Sequence, residues 1–90
     1  MSDNNSEIQI PSPEEIEQTI SAMRDSVFVI NSKIQERPTK RSVRVIQRNV
    51  GHLELQMTNQ YVIGFGDDLS DITGAIIAGN EFLVANSSLL

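Results

Sequence analysis

Apolar side chains recur at alternating spacings of four and three residues through segment 12–37. This heptad spacing is typical of an amphipathic helix with one apolar stripe. A helix of about 25 residues is roughly 37 Å long, whereas a compact domain of this chain length is only about 31 Å across. The helix must therefore cross the whole domain or project from it. The stripe contains Ile16, Ile20, Met23, Val27, Ile30 and Ile34.

Strong signals mark both ends of this helix. Ser12 can cap the first turn, Pro13 suits the first helical position, and Glu15 completes a capping box with Ser12. Pro38 should stop the helix. The preceding segment, residues 1–11, is too polar to offset the entropy of ordering and is expected to be a disordered tail.

Segment 43–65 alternates apolar and polar residues, and this pattern predicts a three-stranded antiparallel meander. Three-residue loops at 49–51 and 58–60 would place most apolar side chains of the three strands on one face, with Ile46 and Val62 on the other. The mostly apolar face would hold Val43, Val45, Leu53, Leu55, Met57, Tyr61, Ile63 and Phe65. The predicted fold class is therefore α+β, a single domain over 12–90 with the long helix packed on the sheet.

Either the predicted sheet or another subunit could cover the apolar stripe of the helix. Isoleucine at both seam positions favours trimers or larger assemblies, and a helix that overhangs its sheet could serve both roles. The candidate residues of a helix interface are Ile20, Met23, Val27, Ile30 and Ile34.

The C-terminal segment allows two structures. A short helix over 72–78, ended by Gly79, could precede a strand over 81–85, or Gly79 and Asn80 could form the turn of a β-hairpin. We favour the helix and strand. The segment is apolar on both sides in either case, which indicates a second candidate interface formed by Ile76, Ile77, Phe82 and Val84.

Charge is divided into three blocks along a chain whose formal net charge is −5. Both outer blocks are acidic, and the middle block, 33–48, holds six bases against one acid. The bases could dock on an acidic block of another copy or grip nucleic-acid phosphates. They are Lys33, Arg37, Lys40, Arg41, Arg44 and Arg48.

Catalytic and metal-binding patterns are weak in this chain. There is no cysteine and one histidine, His52, which the meander would place on the surface. Asp67, Asp68 and Asp71 lack the alternating oxygen ligands of a calcium loop and are better explained as turn and capping residues. We therefore expect no enzyme, no metal and no cofactor.

The interpretation that fits these patterns is a non-catalytic structural or adaptor protein that self-associates or docks in a larger assembly, such as a virion. The alternative is a nucleic-acid-binding module that uses segment 33–48. The acidic N-terminus lacks a secretory signal, and the apolar C-terminal stretch is interrupted by polar residues. We expect a soluble, cytoplasmic protein with no membrane partner.

Overall fold

The computed structural model describes residues 11–58 and 68–90 of the chain. It contains α1 (Pro13–Ile34), α2 (Lys40–Met57) and α3 (Asp68–Ala85), followed by a short 3₁₀ helix (Ser87–Leu89). No strand occurs within these two ranges. The α+β prediction is therefore wrong, and the described part of the chain is all-helical. The tail predicted for 1–11 lies outside the described residues, apart from its last residue.

Helix α1 begins as the sequence predicts. The Ser12 hydroxyl accepts a hydrogen bond from the Glu15 backbone N–H at 3.2 Å, and the Glu15 carboxylate accepts one from the Ser12 N–H at 2.8 Å. This capping box satisfies two N–H groups that the helix itself leaves without partners. The helix ends at Ile34, three residues before the predicted end at Arg37.

Helix α2 occupies the segment predicted to form the first two strands of the meander. Its first turn is held by a second capping box, between Thr39 and Ser42. The side chains that pack inward follow spacings of three and four residues, which suit a helix and not a strand. These inward residues are Val43, Ile46, Val50, Leu53 and, half-buried, Met57.

Two of the residues that produced the apparent alternation, Val45 and Leu55, lie off this inner stripe of α2. Leu55 is 67% exposed, and Val45 is only partly buried. Gly51, predicted to close a hairpin, lies inside the helix on its exposed side. The third predicted strand, 61–65, lies outside the described residues.

Helix α3 is continuous through the segment for which a helix and strand or a hairpin were predicted. The predicted helix over 72–78 is part of it, whereas the strand over 81–85 and the hairpin turn at Gly79 are both wrong. Gly79 is buried where α3 meets the other two helices. A Cβ atom at this position would overlap Val50 Cγ2 and lie 3.4 Å from Ile30 Cγ2.

The core lies between the three helices. Met23 and Ile30 of α1 are fully buried there, together with residues of α2 and α3. The apolar stripe of α1 thus packs against α2 and α3 in the place of the predicted sheet. The five-residue connection 35–39 makes α1 and α2 a helical hairpin, whose helices run antiparallel. The buried core cluster comprises Met23, Ile30, Ile46, Val50, Leu53, Ile72 and Ala75.

Substitution of two helical glycines should have opposite effects on stability. Gly79→Ala adds a methyl group where α3 touches the stiff, β-branched Val50, and we expect a loss of about 1–2 kcal/mol in unfolding free energy despite the better helix propensity of alanine. Gly51→Ala meets nothing within 4 Å and should raise stability by up to about 1 kcal/mol. Urea unfolding followed by circular dichroism measures both. A stabilising Gly79→Ala would contradict the close helix contact.

Candidate functional site

Four basic side chains lie together along one exposed side of α2, and we call them the basic face. They are Lys40, Arg41, Arg44 and Arg48, and with Val45 they line a shallow groove. Lys40, Arg44 and Arg48 are successive neighbours at i, i+4 spacing, and Arg41 lies beside them. The predicted strand would already have placed Arg44 and Arg48 on one face, and the helix adds Lys40 and Arg41 to the same side.

The basic face is electrostatically unfavourable for the helix that carries it. The first turn of α2 contains no acid, although the N-terminal end of a helix favours negative charge. Among residues 11–58 and 68–90, no ion pair involves any of its four bases. Their like charges repel one another, and their positive potential is available to an anionic partner.

The other two bases of the predicted patch lie apart from the basic face. Lys33 is half-buried on α1, where its ammonium group is 3.3 Å from a Glu36 carboxylate oxygen. Arg37 lies in the connection between α1 and α2 and is exposed. The structure thus brings four of the six predicted residues together.

Three apolar side chains of α3 point away from the core, and we call them the outer face of α3. Leu69 is 46% exposed, Ile77 55% and Val84 77%. Their spacings of eight and seven residues place them along one side of the helix. Leu69 was missed by sequence reasoning because it was assigned to a loop, although its near-heptad spacing from Ile77 was visible.

The remaining predicted interface residues face inward to different degrees. Ile76 and Phe82 pack against the core, so the predicted C-terminal interface is divided between the two sides of α3. On α1, Met23 and Ile30 are fully buried. Ile20, Val27 and Ile34 are partly buried and pack against the same core.

An ion pair joins the start of α3 to the middle of α1. Arg24 Nη2 lies 2.7 Å from Asp68 Oδ2, and Arg24 Nε donates to Asp68 Oδ1 at 3.2 Å. These hydrogen bonds, helped by the positive charge of the guanidinium, lower the pKa of the Asp68 carboxyl below its ordinary value of 3.8, while burial acts against them. Asp68 is therefore a structural partner of Arg24.

Among the described residues, Asp68, Asp71 and His52 are those that the sequence analysis considered for metal or acid–base chemistry. No group of three or more histidine and acidic side chains that could hold a metal occurs in the described ranges. Asp67 lies outside the described residues, and Asp68 is engaged by Arg24. His52 is half-buried on α2 and not on the surface of a hairpin, and its Nε2 atom is shielded from solvent with no hydrogen-bond partner among the described residues.

Comparison of the chain with protein-family models, curated proteins and solved structures gave no match. Within 11–58 and 68–90, none of the helices combines the length and the apolar character needed to span a bilayer.

The Arg24–Asp68 pair should make stability depend on acid pH. Because the pKa of Asp68 is lowered in the folded protein, its contribution is complete above the ordinary value of 3.8 and is lost as the pH falls through the folded pKa. Asp68→Asn should lower the melting temperature at neutral pH and reduce its fall between about pH 5 and pH 2. Thermal unfolding by circular dichroism measures this. In an Arg24→Gln background the same substitution should have a smaller effect, and an unchanged effect would contradict the pairing.

Proposed function

We propose that the protein is a non-catalytic structural component that self-associates through the outer face of α3. The observation that carries this proposal is the exposure of Ile77 and Val84 on a helix whose opposite side already forms the core. A helix with apolar side chains on two opposite sides is usually buried on both sides. The three-helix core covers only one side of α3.

The charges around this outer face narrow the choice of partner. Helix α3 contains Asp68, Asp71 and Glu81 and no base. After Asp71, Glu81 is the only charged side chain up to residue 90. A partner that covers this long apolar strip would bury only one acidic side chain. It would avoid the cost of burying several unpaired charges.

A second copy of the chain fits this strip in an antiparallel arrangement. If the two-fold axis passes beside Ile77, each Ile77 meets its counterpart, and Val84 of one copy comes opposite Ser70 and next to Leu69 of the other. The same symmetry brings the Thr73 hydroxyl, a hydrogen-bond donor, opposite the Glu81 carboxylate. No like charges come directly opposite each other, so the face is self-complementary in the manner of an isologous dimer.

The expected affinity of this association is modest. Helix α3 has 18 residues, about 27 Å of length, so one helix from each copy forms a contact at the low end of stable interface sizes. Dimers should therefore form in about the micromolar range. Such a contact suits a protein that assembles at high local concentration.

The test is the mass of the protein in solution. Sedimentation equilibrium of the unaltered chain should give a mass above that of the 10.0 kDa protomer, rising with concentration up to about 100 µM. Ile77→Gln combined with Val84→Gln should give the protomer mass with unchanged helical circular dichroism, because both side chains are exposed.

A matched control removes two exposed apolar side chains from the other helices. Phe28 is 72% exposed on α1 and Leu55 67% exposed on α2. Phe28→Gln combined with Leu55→Gln should leave the mass of the assembly unchanged. The proposal is overturned if the unaltered chain stays at the protomer mass throughout this concentration range, or if the control dissociates the assembly as completely as the α3 variant.

A further inference from the structure

We propose that the basic face of α2 binds the phosphate backbone of duplex DNA. This site lies on a different helix from the self-association face, and the two proposals rest on different side chains. The evidence is the placement of Lys40, Arg41, Arg44 and Arg48 on one exposed surface.

The spacing of the basic face suits a repeating anion. Lys40, Arg44 and Arg48 follow one another at four-residue intervals, and each interval advances about 6 Å along the helix axis. Arg41 widens the row. A row of cations along a rigid helix holds its charges at fixed separations, so a polyanion can engage several of them without the cost of ordering a loop.

Among residues 11–58 and 68–90, no acidic side chain forms an ion pair with the bases of this face. From Arg37 to Leu53 the sequence contains no acidic residue. Within the described ranges, the ion pairs engage Arg24 and Lys33 instead. Because α1 and α2 form an antiparallel hairpin, the acids of the first turn of α1, Glu14 and Glu15, lie toward the opposite end of the bundle. The basic face can therefore attract phosphates although the whole chain is acidic.

Side-chain chemistry favours nucleic acid over a membrane surface. Three of the four bases are arginines, whose planar guanidinium groups pair with phosphate through two hydrogen bonds. The apolar residue beside them, Val45, is already half-buried against the protein. A helix that binds a membrane surface carries several large apolar side chains that insert between lipids, whereas α2 exposes only one, Leu55, which lies seven residues beyond Arg48.

The same face favours a DNA duplex over a single strand or an RNA helix. Helix α2 contains no phenylalanine, tyrosine or tryptophan, and proteins that bind single strands use aromatic side chains as stacking platforms. The major groove of B-form DNA admits an α-helix. The major groove of A-form RNA is so deep and narrow that the side chains of a protein helix cannot reach the bases. Because no contacts to base edges are assigned to the basic face, binding is expected to be independent of the DNA sequence.

Fluorescence anisotropy with a labelled DNA duplex of about 20 base pairs tests this proposal. If four phosphates are contacted, affinity should fall roughly 100-fold between about 50 and 200 mM salt. Arg44→Gln combined with Arg48→Gln should weaken binding at the lower salt concentration by about 10-fold or more and reduce the slope of log affinity against log salt by about 2. Both residues are exposed, so the variant should remain folded, which circular dichroism verifies.

The matched control changes the net charge by the same amount on another helix. Gln18→Glu combined with Ser21→Glu replaces two exposed residues of α1 and should leave affinity and salt slope nearly unchanged. The monomeric Ile77→Gln, Val84→Gln variant should still bind DNA, so failure of one proposal can be told from failure of the other.

Three results would overturn DNA binding. The first is the absence of salt-dependent binding at the lower salt concentration, and the second is equal weakening by the α1 control and the α2 variant. The third is equal or tighter binding of polyglutamate or of anionic lipid vesicles with the same dependence on Arg44 and Arg48, which would make the face a docking site for acidic proteins or for membranes. An RNA duplex of equal length should bind more weakly than the DNA.

Discussion

The close approach of α3 to the α1–α2 hairpin at Gly79 determines how the rest of the structure is arranged. The missing side chain lets α3 settle against Val50 of α2, with Ile30 and Ile46 close by. Two polar contacts flank this crossing, the Arg24–Asp68 pair and the hydrogen bond from Asn80 to Glu54. Once α3 is fixed in this orientation, Ile77 and Val84 point outward.

Sequence reasoning succeeded where one local signal had no competitor. The Ser12–Glu15 capping box and the stripe of α1 were both read correctly because no alternative pattern occurs there. Segment 43–57 offered two periods at once. Val43 and Val45 suggested a strand, whereas Val43, Ile46 and Val50 follow a helix, and the buried side chains show that the helical period prevails.

Glycine misled the prediction in two different ways. Gly51 was taken as a hairpin-loop residue and Gly79 as a helix terminator or a hairpin-turn residue, since glycine interrupts helices more often than most residues. Gly51 is tolerated on an open helix surface, and Gly79 is needed for a close contact between helices. Only the tertiary packing distinguishes these roles, because the local sequence contains no information about which helix will lie against which glycine.

The sequence predicted which residue types the candidate sites contain, but it did not predict which of those side chains share one surface. The excess of bases in 33–48 was plain, yet only the structure shows that Lys33 lies on α1, apart from Lys40, Arg41, Arg44 and Arg48 on α2. In the same way, Ile76 and Ile77 are neighbours in sequence and face opposite environments on α3. Which side chains face the core and which face solvent could be assigned only after each segment was known to be a helix.

The Thr39–Ser42 capping box opens α2 and encloses the first two residues of the basic face, Lys40 and Arg41. This box secures a first turn that mutual repulsion between cations would otherwise loosen. Filling the neighbouring groove with negative charge removes that repulsion, and the helix start then gains from its occupant as well as from its cap. Occupancy and folding are thereby coupled, so the protein with its groove filled should resist heat better than the protein alone.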